Sequence, residues 1–190
     1  RLAAVVSELE DKKLLQESDG AQVVFLDDMP PCLIKKQDGA SLYATRDIAS
    51  AIYRFTELKA DLNLYVVGVD QTLHFKQVFK VLDKMGYAWA NKNHHITFGM
   101  YKFKDLGRMS TRKGNVIFLE DVLFRAIENV KKRMEEKNPD LPNKDKVAEQ
   151  VGVGAVIFND LLNDRVKNVD FDWDKVLSFD GDSGPYVQYT

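Results

Sequence analysis

Apolar residues recur at helical spacing from the start of the chain. Leu2, Val5, Val6, Leu9, Lys13 and Leu14 fall near one face, so the pattern predicts an amphipathic helix over residues 1 to about 16, stopped by Ser18-Asp19-Gly20. Short strands are predicted at Gln22–Leu26 and Cys32–Lys35, on either side of Asp27-Asp28-Met29-Pro30-Pro31, with a turn at Gln37-Asp38-Gly39. Over residues 41–55 the period returns to helical: Thr45 reads as the N-cap, Ile48, Ala51, Ile52 and Phe55 as the buried stripe, and Asp47 as a first-turn carboxylate favoured by the macrodipole. Leu62–Asp70 is near-continuously apolar, as a strand covered on both faces should be. A helix follows with Phe75, Val78, Phe79 and Leu82 inward and Gly86 at its end, and then a strand at His94–Phe98. Two long helices are predicted at about 120–136, ended by Asn138-Pro139, and at about 145–164, where Gly152 and Gly154 allow close helix approach. The order of elements indicates an α/β fold with a parallel sheet, followed by a helical part.

One stretch follows neither period. Lys102 to Asn115 holds Lys102, Lys104, Arg108, Arg112 and Lys113 together with Gly107, Gly114 and small polar residues. It reads as a mobile loop dense in phosphate-seeking groups. The whole chain has Lys+Arg 27 against Asp+Glu 29, a formal charge of -2, so any polyanion contact must be local. The single cysteine, Cys32, excludes an intrachain disulfide framework and fits a reducing compartment. No apolar run approaches the roughly 18 residues needed to cross a membrane. The chain opens on Arg1 inside a helical pattern and ends on Thr190 without a cap, as a piece of a longer protein would.

Candidate chemistry is sparse outside that loop. Asp27-Asp28 beside a Pro-Pro turn reads as solvated surface rather than a metal pair. His94 and His95 point to opposite sides of a strand and cannot both ligate one metal, and no second cysteine is present, so zinc is rejected. At the carboxyl end of the 62–70 strand, Gly68 permits close backbone approach, Asp70 can take ribose hydroxyls, and Gln71 and His74 offer orientable polar contacts. Taken alone, His74 also fits a helix surface or a satisfied core position.

Four separated stretches carry a resemblance, which runs from about Gln37 to Thr190. Gly107-Arg-Met-Ser-Thr-Arg-Lys-Gly-Asn115 resembles the signature loop of class I aminoacyl-tRNA synthetases (consensus Lys-Met-Ser-Lys-Ser), in the Met-Ser-Thr-Arg-Lys-Gly form of arginyl-tRNA synthetases. Tyr43-Ala-Thr-Arg-Asp47 resembles that family's Tyr-Leu-Thr-Arg-Asp, Gly68-Val-Asp-Gln-x-x-His74 its strand end, and Gly184-Pro-Tyr-Val-Gln-Tyr189 the opening of its anticodon-binding domain. The resemblance implies a Rossmann-like fold, with residues 1–118 as the second half of the catalytic domain, 119–182 as a helical connector and 183–190 as the start of a truncated helical domain. It further implies Tyr43, Asp47 and Gln71 as ligands of L-arginine. Gly68, Asp70, His74 and Met109 would face ATP, and Arg108, Ser110, Arg112 and Lys113 would act on the phosphates. The implied partners are tRNA(Arg), arginine and ATP. By the same resemblance Mg²⁺ would enter only with ATP, no metal would be tightly bound, and the parent would be monomeric and cytoplasmic.

The residue types suit those roles. A carboxylate accepts two parallel N–H bonds from a guanidinium, and a tyrosine ring offers a face for cation–π contact. Arg108 and Thr111 stand where the consensus has its two lysines; arginine spreads its charge over a planar fork, and Lys113 is the compensating ammonium. The His-Ile-Gly-His element that grips ATP in this class is not among these residues and is expected upstream of Arg1. The isolated chain should therefore show no aminoacylation; arginine-dependent ATP–pyrophosphate exchange by these 190 residues alone would overturn that expectation. Two rivals stand beside this reading: a non-catalytic synthetase-like module that binds tRNA or protein, and a class I enzyme for glutamate or glutamine. The second would want a cation in its pocket, where this chain offers Asp47.

Overall fold

The first helix, α1 (Leu2–Asp11), buries Val5 and Leu9 and is shorter than its apolar pattern predicts. It ends in a Schellman turn: the Lys13 amide donates to the Glu10 carbonyl at 2.8 Å and the Leu14 amide to the Leu9 carbonyl at 2.9 Å, with Lys13 at φ 56°. Leu14 therefore leaves the helix, and Leu15–Ser18 forms strand β1. Asp19 and Gly20, with φ of 50° and 74°, are the two-residue turn of a hairpin to β2 (Ala21–Val24), not a helix stop. β2 pairs antiparallel with β3 (Cys32–Lys35), completing a three-stranded sheet in the order β1-β2-β3.

The computed structural model describes residues 1–38, 40, 42–103 and 116–189. The chain divides into two compact units, Arg1–Phe98 and Gly99–Thr190.

In the first unit, α2 (Tyr43–Thr56) and α3 (Thr72–Lys84) join α1 around a core that includes Val24, Ile34, Ile48, Ala51, Val78 and Leu82. Gly86 takes φ 84° and closes α3 as the sequence predicts, with amides of Gly86 and Tyr87 on the carbonyls of Asp83 and Leu82. β4 (Asn63–Gly68), α3 and β5 (Asn93–Phe98) make a strand–helix–strand unit with the two strands parallel, in register from Asn63↔Asn93 to Gly68↔Phe98. At its start, buried Asn63 donates to the side-chain oxygen of buried Asn93 at 3.0 Å. β4 departs from the expectation of two covered faces. Its burial alternates, with Tyr65 inside while Leu64 and Val66 are 52% and 66% exposed, so among the described residues only one face of this pair is packed.

The second unit holds a parallel pair, β6 (Tyr101–Phe103) and β7 (Val169–Phe171), of which the sequence signalled neither strand. α4 (Leu119–Lys137) and α5 (Lys144–Leu162) match the predicted helices closely. They pack around Val122, Ala126, Val130, Ala148 and Ala155, joined by Phe171, Val176 and Leu177. A one-turn helix α6 (Trp173–Val176), capped by the Asp172 carboxylate on the Asp174 amide at 3.0 Å, leads to α7 (Gly184–Tyr189).

Candidate functional site

The site is assembled at the carboxyl end of β4, where the chain turns into α3. Gly68 ends the strand, Val69–Gln71 form one turn of 3-10 helix, and the Thr72 hydroxyl donates to the Val69 carbonyl at 2.6 Å to pass the chain into α3. Gly68, Asp70 and Gln71 thus occupy the crest of the strand–helix crossing, and His74 stands in the first turn of α3. This is the place in a parallel sheet where ligands gather.

α2 brings the second half. The helix starts at Tyr43 with extended Leu42 as its N-cap, three residues earlier than the cap the sequence predicts at Thr45. Thr45 is not the cap. It is wholly buried and its hydroxyl donates to the Ile34 carbonyl at 2.5 Å, pinning the first turn of α2 against β3. Asp47 consequently lies beyond the first turn, and its carboxylate is not explained as a dipole-compensating charge. Four residues apart, Tyr43 and Asp47 share a helix face. Tyr43 is 72% exposed, with the Arg46 guanidinium 6.0 Å from its ring centroid.

Asp47 and His74 meet. His74 Nε2 lies 2.7 Å from Asp47 Oδ2, and since a carboxylate offers only lone pairs, Nε2 carries the hydrogen. The two side chains are 33% and 22% exposed, so the pair is partly sheltered and retains a solvent side. His74, expected toward the nucleotide, is therefore held against the residue expected to bind the amino acid.

The floor under this pair is aromatic. The His74 ring meets the edge of Phe75 at 5.1 Å between centroids; Phe75 in turn lies 4.8 Å from His95 and 4.7 Å from Tyr65. His95 Nε2 donates to the Val67 carbonyl at 2.9 Å, tying β5 to β4. Tyr65 accepts from the Asn63 amide at 2.8 Å, and burial pushes its phenol pKa up. His95 has no assigned part in the sequence reading beyond the rejected zinc pair. Its signal was the strand alternation that turns it inward opposite Tyr65, while His94 is exposed. Among the described residues no group of three or more His, Cys, Asp or Glu could hold a metal ion, and no helix is long and apolar enough to cross a membrane.

Arg108, Met109, Ser110, Arg112 and Lys113 lie outside the described residues. What the structure brings together from the expected set is Asp47 with His74, on helices flanking the strand end that bears Gly68, Asp70 and Gln71.

A family model described as tRNA synthetases class I (R), catalytic domain, matches residues 1–173. The chain is 56% identical over 188 residues to the arginine–tRNA ligase of Halothermothrix orenii, covering 98% of this chain and 33% of that protein. It is 53% identical over 192 residues to that of Clostridium botulinum, covering 100% of this chain and 34% of the relative. The chain thus spans about a third of the length of the curated relatives it matches. Among solved structures, Thermus thermophilus arginyl-tRNA synthetase superposes with a TM-score of 0.79 at 26% identity, over 99% of this chain and 38% of the other. The Plasmodium falciparum arginyl-tRNA synthetase shares the fold, with a TM-score of 0.77 at 24% identity over 99% and 32%.

Proposed function

The chain belongs to the class I (R) tRNA synthetase catalytic-domain family, and on that premise we propose that the protein containing it activates L-arginine with ATP and transfers the arginyl group to the 3′-terminal adenosine of tRNA(Arg). The observation that carries this reading is the sheltered carboxylate of Asp47, four residues from exposed Tyr43 on α2 and fixed beside the carboxyl end of β4. An anion there suits a guanidinium and repels an acidic amino acid.

The roles follow from residue chemistry. Asp47 receives the guanidinium, Tyr43 supplies a ring face or hydroxyl, and Gln71 adds a neutral polar contact. Gly68 and Asp70 face the nucleotide, together with Met109. The arginine carboxylate attacks the α-phosphorus of Mg²⁺-bound ATP, forming arginyl-adenylate and releasing pyrophosphate; the 3′-terminal adenosine hydroxyl then displaces AMP. Arg108, Arg112 and Lys113, with the Ser110 hydroxyl, neutralise the charge that spreads over the phosphoryl oxygens in the transition state. Residues 1–118 serve as the second half of the catalytic domain, 119–182 as the helical connector, and 183–190 open the helical anticodon-binding domain. The parent is placed as a monomer in the cytoplasm; buried Cys32, its thiol pushed up to about 12 by burial, suits that reducing compartment.

Ligand-induced thermal stabilisation of the full-length protein tests the reading. Arginine should raise the melting midpoint and citrulline, which keeps the shape but replaces the guanidinium by a neutral urea, should not. Equal shifts would remove the guanidinium–carboxylate argument, and no shift with arginine would favour the non-catalytic module.

A further inference from the structure

The contact between α2 and α3 at the site has a feature that substrate binding alone does not require. Asp47 has two carboxylate oxygens, and one of them, Oδ2, is already engaged by His74 Nε2 at 2.7 Å. Among the described residues this is the only hydrogen bond or ion pair that the Asp47 side chain makes. The donor comes from a different element, 27 residues further along the chain, and its ring is itself braced edge-on against Phe75, whose side chain is buried among Tyr65, Phe79 and His95. The brace therefore runs from the aromatic floor through His74 to the carboxylate.

From this we infer that His74 is a positioning residue for Asp47, not a nucleotide contact: it holds one carboxylate oxygen so that the other, and the remaining lone pairs, are presented to the incoming guanidinium. The inference rests on the arginine reading of the site and adds to it a residue that acts through Asp47. An unheld aspartate on a helix surface samples several rotamers, and binding must then stop that motion as well as form the contact. A donor that fixes the carboxylate beforehand removes that cost. The donor also has to leave the anion unneutralised. An imidazole needs one N–H for the purpose, whereas lysine or arginine at position 74 would bring a full charge into competition with the substrate. Each carboxylate oxygen can accept more than one hydrogen, so holding Oδ2 leaves capacity for a two-pronged approach.

The experiment uses the full-length protein with tRNA(Arg) present and arginine-dependent ATP–pyrophosphate exchange, with melting midpoints read in parallel. His74→Leu keeps apolar bulk against Phe75 and removes the donor; His74→Gln keeps an amide N–H that can reach the same oxygen. The expected result is a rise of roughly 10-fold in the KM for arginine for His74→Leu, the size of one lost hydrogen bond to a charged group, with the KM for ATP within about twofold of wild type. His74→Gln should recover most of the loss. In an Asp47→Asn background His74→Leu should add little, because the anionic oxygen whose direction His74 sets is no longer there to meet the guanidinium. Should the leucine variant melt early, His74→Met carries the same comparison with a more adaptable side chain. An unchanged arginine KM in a folded variant lacking the donor, a rise in the KM for ATP instead, or an additive effect with Asp47→Asn would each overturn the inference. If the wild-type protein itself shows no arginine-dependent exchange, the functional reading is at fault and the inference falls with it; if wild type exchanges and only the variants disobey, the fault is in the inference alone.

Discussion

Asp47→Asn in the full-length protein is expected to lower kcat/KM for arginine about 100-fold, or roughly 2.7 kcal/mol, near the lower end of what truncating one partner of a hydrogen-bonded charge pair costs. The lower end is chosen because the Asp47 side chain is 33% exposed, so water screens part of the charge. Asparagine keeps the volume and can keep an oxygen toward His74, leaving the anchor at 2.7 Å intact. What changes is the other side of the carboxylate. An NH₂ group there is a donor, and it would meet the donors of a guanidinium, so the loss combines the missing charge with an unpaired group. The effect should appear mainly in the KM for arginine, and the preference for arginine over citrulline should collapse with it. The melting midpoint without ligand should stay close to wild type, because no core residue is altered. Steady-state exchange kinetics decide the matter; a variant within about threefold of wild type would show that the anion does not select the substrate.

The parts of this site that were readable in the sequence were those set by local spacing. Tyr43 and Asp47 are four residues apart, and any helix through them puts both on one face. Gly68 to Gln71 follow an apolar run, and the end of a strand is legible from where that run stops. Partnership across elements was not readable: nothing in residues 47 and 74 taken separately says that α2 and α3 approach closely enough to join them. Helix ends show the same division. Gly86 announced the end of α3 because glycine takes φ 84° without strain, whereas Lys13 adopts φ 56° at the end of α1 and gives no compositional sign. With that stop hidden, Asp19-Gly20 reads as a helix terminator although it is a hairpin turn, and β1 carries no separate signal. Thr45 misled for a further reason. A threonine near the start of a helical pattern is a common cap, but here its hydroxyl satisfies a strand carbonyl. In β4, Leu64 and Val66 made the run look buried on both sides, and apolar composition cannot report which face is covered among the described residues.

The close approach of α4 and α5 yields the second large effect, on stability. Both Gly152 and Gly154 were expected to permit helix contact, and the structure separates them. A Cβ added at Gly152 would stand 2.9 Å from the Ile127 amide nitrogen and 3.0 Å from the Ala126 carbonyl carbon, all backbone of α4. A Cβ at Gly154 would meet the Gln188 side-chain nitrogen at 2.5 Å, which is the far end of a flexible chain. Backbone cannot step aside without moving α4 off Ala148 and Ala155, whereas a glutamine end can rotate away. Gly152→Val should therefore destabilise the second unit by about 3 kcal/mol, the upper part of the overpacking range, with the β-branched side chain adding a small propensity loss. At about 2–4 °C per kcal/mol for a chain of this size, the melting midpoint should fall by roughly 6–12 °C. Gly154→Ala should do little harm and can gain up to about 1 kcal/mol of helix propensity, offset by displacing Gln188. Thermal unfolding followed by circular dichroism on the two variants checks the pair. Equal destabilisation by both, or a wild-type midpoint for Gly152→Val, would mean that α4 and α5 are not in backbone contact at residue 152.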